Sequence, residues 1–326
     1  MIDFPELTLI VPTHNRAELL LKTIESAFSQ TRAFKQVIVI DDASTDDTVL
    51  LLEKFGSRVV FVTAEKIGVQ RARNLGVSMA NTEYVTLCDD DDILEPDFVE
   101  QVSNCLHRNP DLDSVYMNYR SFNELRTDAD IVSRAPEGYF DGSALKDEFF
   151  HNIPDLYVKT VDFQPLMPSG ATFTKHFYER IGGFDPNFNG VPSEDWEYTL
   201  RAIAEGRTAM SKQPLVMIRR HLGNDSADLM RQAVGEVEVL EYALLHHRIA
   251  ARSRQQLMSG IDRRREEIFY EAFRRRNFAV AGAIFPLLPR KSRTFKFKLK
   301  SLFLIMHSLF HRYDIYKSLN FSAPIK

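Results

Sequence analysis

The sequence predicts an α/β fold with a mostly parallel central sheet, followed by a helical C-terminal extension. Three observations carry that expectation. Short, wholly apolar, β-branched runs alternate with helix-period segments from residue 7 onward. The connections between them are short, which calls for parallel βαβ units and a sheet covered on both faces. From about Gly223 the texture changes, and helical, basic sequence replaces the strand–helix alternation.

Leu7-Thr8-Leu9-Ile10-Val11 is the first expected strand, ended by Pro12. After Thr13-His14-Asn15-Arg16, the apolar positions Leu20, Ile24, Ala27 and Phe28 recur at helical spacing. Val37 to Ile40 is a second buried strand that runs into Asp41-Asp42-Ala43-Ser44-Thr45-Asp46, and Thr45 to Thr48 can cap a helix through Lys54. Val59 to Val62 gives a third strand, Gly68 to Met79 a helix, and Tyr84 to Cys88 a fourth strand. A helix is expected from Pro96 to His107 and a strand over Ser114 to Asn118. Residues 121–165 show no clear period. Ala171 to Thr174, a helix from Lys175 to Ile181, a helix from Asp195 to Glu205 capped by Ser193, and a strand over Leu215 to Ile218 complete the front part. In open parallel sheets ligands bind beyond the carboxyl ends of the strands, and three polar clusters stand at such ends: Asn15/Arg16, Asp41/Asp42 and Asp89 to Asp92.

A chain of 326 residues can hold one large α/β domain with an appendage, and 44% hydrophobic with 26% charged residues is ordinary for a globular protein. The two cysteines, Cys88 and Cys105, have neither metal nor redox spacing and fit a reducing compartment. The first residues carry no secretory pattern, and no apolar run approaches the roughly 18 residues that span a bilayer. The net charge of −4 is unevenly spread: from Gly235 onward 18 Lys/Arg stand against 8 Asp/Glu, a balance of +10, so the remainder carries −14. In the tail, Phe295, Leu299, Leu302, Met306, Leu309, Tyr313 and Tyr316 form one apolar stripe at spacings of four and three, with Lys291, Arg293, Lys296, Lys298 and Lys300 at its start. Such a stripe packs in a core or partner interface, or lies on an anionic membrane.

Tyr84 to Cys88 runs straight into four consecutive carboxylates, Asp89-Asp90-Asp91-Asp92. Adjacent like charges repel, so folding alone gives no reason to collect them. In a strand-like segment Asp89 and Asp91 would point the same way and offer oxygens to a hard divalent cation such as Mg²⁺ or Mn²⁺. The plainer alternative is a solvated turn with one Asp capping the next helix.

Taken in order, Ile10-Val11-Pro12-Thr13-His14-Asn15-Arg16, Val39-Ile40-Asp41-Asp42-Ala43-Ser44-Thr45-Asp46, Gly68 with Ala72-Arg73-Asn74, Asp89 to Asp92, Ile181-Gly182-Gly183-Phe184-Asp185 and Ser193-Glu194-Asp195 resemble a family 2 glycosyltransferase of the GT-A fold. The similarity covers about residues 5–222. It implies a GT-A type nucleotide-binding sandwich over residues 1–222, with a nucleotide-sugar half of about 1–118 and an acceptor half of about 119–222, ahead of a basic helical region over 223–326. It also implies inverting, metal-dependent transfer from a nucleotide sugar, a UDP-sugar first. Asp91 would be the principal ligand of a Mn²⁺ or Mg²⁺ cofactor, with Asp89 beside it and His221 completing the site. Asp90 would lie near the metal and the ribose. Pro12, Thr13 and Asn15 would line the base pocket, Arg16 would reach a phosphate or the base edge, and Asp42, with Asp41 as neighbour, would accept the uracil ring N–H. Arg73 would add a contact to base or phosphate. Asp195 matches the catalytic base and Glu194 would orient it or touch the acceptor. Plainer readings stand beside these: helix caps for Asn15 and Asp42, surface solvation for Arg73, a structural histidine for His221, and favourable helix-dipole placement for Glu194 and Asp195. Trp196 is read either as core or as a sugar-stacking wall.

The expected partners are a nucleotide-sugar donor, a glycan or lipid-linked acceptor, a membrane surface touched by the C-terminal helix and a second copy in a homodimer, with no nucleic acid. The expected location is cytoplasmic, peripheral at the inner membrane face. A nucleotidyltransferase would want a Gly-rich loop after the first strand, and Pro12 to Arg16 has no glycine. A non-catalytic scaffold would be expected to have lost Asp42, Asp91 or Asp195, and all three are present.

Overall fold

The computed structural model describes residues 4–221 and 228–289. The expected stripe from Phe295 to Tyr316 lies outside them. The described residues form two compact units, one of residues 4–189 with Tyr198–His221, the other of Gly190–Glu197 with residues 228–289.

The first unit is built on a ten-stranded sheet. Its parallel half comprises β1 (Leu7–Thr13), β2 (Gln36–Asp41), β3 (Val60–Thr63) and β4 (Tyr84–Leu87), ordered β3-β2-β1-β4. Leu9, Ile10, Val11, Ile38, Val39, Ile40 and Val85 are fully enclosed, which is why β1, β2 and β4 read as unbroken apolar runs rather than alternating ones, whereas the edge strand β3 is half exposed. Helices α1 (Ala17–Phe28), α2 (Thr48–Lys54) and α3 (Val69–Met79) connect them. Leu20, Ile24 and Ala27 of α1 are buried as their spacing predicts, whereas Phe28 is half out, beside Phe55 and under the Arg58 guanidinium. Gly76 lets α3 lie directly on the sheet, since a Cβ there would stand 2.3 Å from Ile10 Cγ2.

Two expectations are corrected. Pro12 does not end β1: the strand runs on to Thr13, paired with β2 through Pro12↔Ile40 and Thr13↔Asp41. Pairing with β4 stops at Ile10↔Leu87, so the proline sits where one side of the strand is no longer laddered. The acidic stretch is not strand-like either. Strand β4 ends at Leu87, and the Asp92 amide donates to the Asp89 carbonyl at 3.3 Å across a turn, so period-two alternation does not apply to Asp89 and Asp91. The two-residue β5 (Ile93–Leu94) and helix α4 (Phe98–Arg108) follow, and α4 begins after Asp97, not after any of the four aspartates.

The other half of the sheet mixes directions. Strand β6 (Ser114–Phe122) runs parallel to the long β10 (Thr208–Arg219), while β9 (Thr172–Thr174) lies antiparallel between β4 and β6. The segment without clear periodicity holds β7 (Ala144–Lys146), β8 (Phe149–His151) and α5 (Leu156–Asp162), with β8 antiparallel to β10. Thr174 caps α6 (Lys175–Arg180) by accepting the Phe177 amide. Helix α7 (Glu194–Glu205) completes the elements before β10.

In the second unit, α8 (Leu229–His246), α9 (Arg254–Arg274) and α10 (Phe278–Ile284) pack through Val239, Leu240, Leu257, Ile261, Ile268, Phe269 and Val280. The segment Gly190–Glu197 belongs with them. A Cβ on Gly235 of α8 would meet the Pro192 carbonyl at 2.0 Å, Trp196 is buried under the Arg264 guanidinium at 5.0 Å, and Glu197 faces His247 Nε2 at 3.5 Å.

Candidate nucleotide and metal site

The carboxyl ends of β1, β2 and β4 carry the expected polar clusters, and each aspartate after β4 finds its own partner. Arg73 Nη2 of α3 donates to Asp89 Oδ1 at 2.8 Å. Thr13 donates its hydroxyl to Asp90 Oδ2 at 2.7 Å, and Arg16 Nη1 donates to Asp90 Oδ1 at 2.9 Å and Asp91 Oδ2 at 3.2 Å. His221 Nε2 lies 3.0 Å from that same Asp91 oxygen. Asp92 accepts the Ser169 hydroxyl and, at 2.9 Å, the backbone amide of Arg219 at the end of β10. The turn therefore faces Arg16, Arg73 and His221 with three carboxylates and closes against β10 with the fourth.

Asp90, Asp91 and Asp92 are buried, so their charges are weakly screened by water. Burial pushes Asp90 up to about 6, against the pull of Arg16 and Thr13, with Asp91 adding to the rise. Burial, then Asp91 and Asp89, hold Asp92 well above the usual carboxylate range. Burial pulls Arg16 down, and Asp90, Asp91 and Asp89 together outweigh it, leaving the guanidinium above its ordinary value. Negative charge is in excess here.

The β1 and β2 loops lock together. Asn15 donates its amide to Ser44 Oγ at 2.8 Å and accepts the Thr45 amide at 2.6 Å, with Asn15 and Ala43 both at positive φ. Asn15 is thus a latch between loops, not the cap of α1. Its first-turn amide at Ala17 is taken by Asp46 Oδ2 at 3.1 Å. Asp42 does serve a helix start, but that of α3: it accepts the Ile67 amide at 2.5 Å and the Gly68 amide at 3.0 Å. Asp41 is fully buried; its Oδ1 accepts the Ser44 amide at 3.0 Å and its Oδ2 has no donor among the described residues. Arg73 is also buried, ion-paired and stacked 4.9 Å from the Phe184 ring centre, so surface solvation does not describe it. Next to it, Asn74 donates to the Phe184 carbonyl at 2.8 Å and accepts the Phe184 amide at 2.9 Å, fastening the Gly182-Gly183-Phe184 turn to α3.

Glu194 and Asp195 stand half-buried in the first turn of α7, where helix polarity favours negative charge. They belong to the second unit. Trp196 beside them is buried core rather than an open sugar-stacking wall. Ser169 and Arg219 were not singled out from sequence. Arg219 ends a strand and could have been found by the strand-end rule, while Ser169 lies in the loop before β9, where no strand end marks it.

A mostly parallel sheet with carboxylates and arginines at its strand ends defines a GT-A type α/β domain. The model of glycosyl transferase family 2 matches residues 8–158 of the chain. The chain is 30% identical over 158 residues to the glycosyltransferase GlyA of Streptococcus pneumoniae, which covers 48% of this chain and 21% of that protein. It is 32% identical over 120 residues to the chondroitin synthase of Escherichia coli, 36% of this chain and 18% of that one. The chain thus spans about a fifth of the length of these two relatives. The fold is similar to that of S. aureus TarS 1–349, solved in complex with UDP-GlcNAc: TM-score 0.57, 16% identity, covering 95% of this chain and 94% of that one.

Proposed function

We propose that this protein transfers a sugar from a UDP-sugar to a hydroxyl of a glycan or lipid-linked acceptor, with inversion and with the help of a divalent cation. The observation that carries this reading is the convergence of Thr13, Arg16, Asp90, Asp91 and His221 within hydrogen-bonding distance at one sheet edge.

The donor set suits the cation. A carboxylate oxygen of Asp91 and the imidazole of His221 already meet at 3.0 Å, with Asp89 two residues away in the same turn. Among the described residues no three His, Cys, Asp or Glu side chains form a metal-holding group. Mg²⁺ and Mn²⁺ suit such a site, because they are commonly held by one or two carboxylates together with substrate phosphates. When bound, the ion would offset the charge that develops on the departing diphosphate. Arg16, at the start of α1, would reach the same phosphates.

Pro12, Thr13, Asn15 and the Asp41–Asp42 strand end would form the base and ribose pocket, with Arg73 behind Asp89. Asp42 keeps lone pairs beyond the two amides it accepts, enough for a uracil N–H, and Asp41 Oδ2 is a buried acceptor that a ligand donor would satisfy. Asp195 would take the proton of the acceptor hydroxyl as that oxygen bonds to sugar C1 and the C1–phosphate oxygen bond breaks, with Glu194 orienting it. The basic stripe of residues 291–316 supports a peripheral location at the inner membrane face. Calorimetric titration with UDP and GDP, with and without Mn²⁺, tests the reading. Mn²⁺-dependent binding of UDP, lost in Asp91→Ala, supports it; binding of neither nucleotide by folded protein overturns it.

A further inference from the structure

The corner between α8 and α9 is built differently from the rest of the helical unit. Helix α8 ends at His246, residues Arg248–Ala251 make a 3₁₀ turn, and α9 starts at Arg254. Consecutive backbone bonds hold the connection: His247 to the Ala243 carbonyl, Ala250 to His247, Arg252 to Ile249, Ser253 to Ala250 and Leu257 to Ser253. Ala250, Ser253 and Leu257 point inward and are buried. The outward side carries Arg248, Arg252 and Arg254, all exposed, and Leu245 at 80% exposure.

The charges here are unmixed. No Asp or Glu occurs between Glu241 and Asp262. Several other arginines of this unit are paired: Arg264 with Glu236, Arg265 with Glu241, and Arg275 with Asp228 and Glu271. Arg248, Arg252 and Arg254 have no ion pair among the described residues. A surface kept only for solubility intersperses both signs. We infer that this corner docks on an anionic lipid surface, with Leu245 entering the interface and the three arginines meeting headgroup phosphates. The leucine favours a lipid surface over a soluble polyanion, which would call on the charges alone. The assignment stands apart from the transferase reading and from the tail beyond residue 289.

The test is co-sedimentation of the full chain with vesicles of phosphatidylcholine, with and without phosphatidylglycerol. The wild type binds the anionic vesicles and releases them as salt rises. Replacing Arg248, Arg252 and Arg254 together by Gln lowers partitioning about 100-fold, roughly fivefold per charge, and Leu245→Ser lowers it about tenfold. All four side chains are exposed, so thermal unfolding should be unchanged and reports that the variants are folded. Equal partitioning of the wild type and the triple variant overturns the inference, as the tail would then carry the binding. Arginine-dependent binding of soluble polyphosphate that anionic vesicles do not displace also overturns it.

Discussion

Nη1 of Arg16 lies 3.2 Å from Oδ2 of Asp91, the oxygen that His221 also approaches. The guanidinium therefore holds positive charge next to the oxygen that a divalent ion would need. A hydrogen bond to a charged group is worth about 1.5–3 kcal/mol, so the side chain competes with the ion. Arg16→Ala should bind Mn²⁺ about tenfold more tightly than the wild type when no nucleotide is present. Electron paramagnetic resonance of free Mn²⁺ measures this, and unchanged affinity would contradict it.

Removing the base should separate chemistry from binding. Asp195→Asn should slow transfer by about 10²–10⁴-fold, with UDP affinity held within about twofold because the nucleotide contacts lie in other residues. Steady-state rates with calorimetry on the same variant decide it. A comparable loss of UDP affinity would place Asp195 in the donor site instead.

Asn74 predicts a stability effect. Its side chain bonds both backbone groups of Phe184 and accepts the Tyr178 hydroxyl at 2.7 Å. Asn74→Ala leaves these three groups unpaired and should cost about 3 kcal/mol or more, at roughly 1–3 kcal/mol per buried group left unsatisfied. Urea unfolding measures it, and a cost below about 0.5 kcal/mol would show that the turn does not depend on the clamp.

Glu238 of α8 predicts a pH effect in the helical unit. Burial, then repulsion from Glu241, raise its carboxyl from 4.5 to about 6. The folded state therefore binds this proton more tightly than the unfolded chain. The contribution is fully present below the unfolded value of 4.5 and is lost as pH rises through about 6. Glu238→Gln should therefore gain stability over the wild type as pH increases across that window. Parallel unfolding curves at pH values on either side of it would contradict this.

Strands β1, β2 and β4 were legible because enclosed strands leave unbroken apolar runs, and β3 is an apolar run at the half-exposed sheet edge. The polar groups of the candidate site were legible because strand ends collect them. Thr13, Arg16, Arg73, Asp89, Asp90, Asp91 and His221 do converge, although the period-two reason given for Asp89 and Asp91 fails at a turn. Strands β7 and β8 were not legible, being three residues each and set by pairing with β10. Ser169 was hidden for a similar reason, since only tertiary contact reveals what it holds. Nor does the sequence around Pro192 signal that Gly190–Glu197 packs on α8, a contact that depends on the missing side chain of Gly235.

Release of UDP from a UDP-sugar in the presence of Mn²⁺, compared between the wild type, Asp91→Ala and Asp195→Asn, bears most directly on whether this sheet edge is a glycosyl donor site. Turnover by the wild type, abolished in Asp91→Ala and slowed by at least about 10²-fold in Asp195→Asn, is the expected result. Release at the wild-type rate by Asp91→Ala would contradict it.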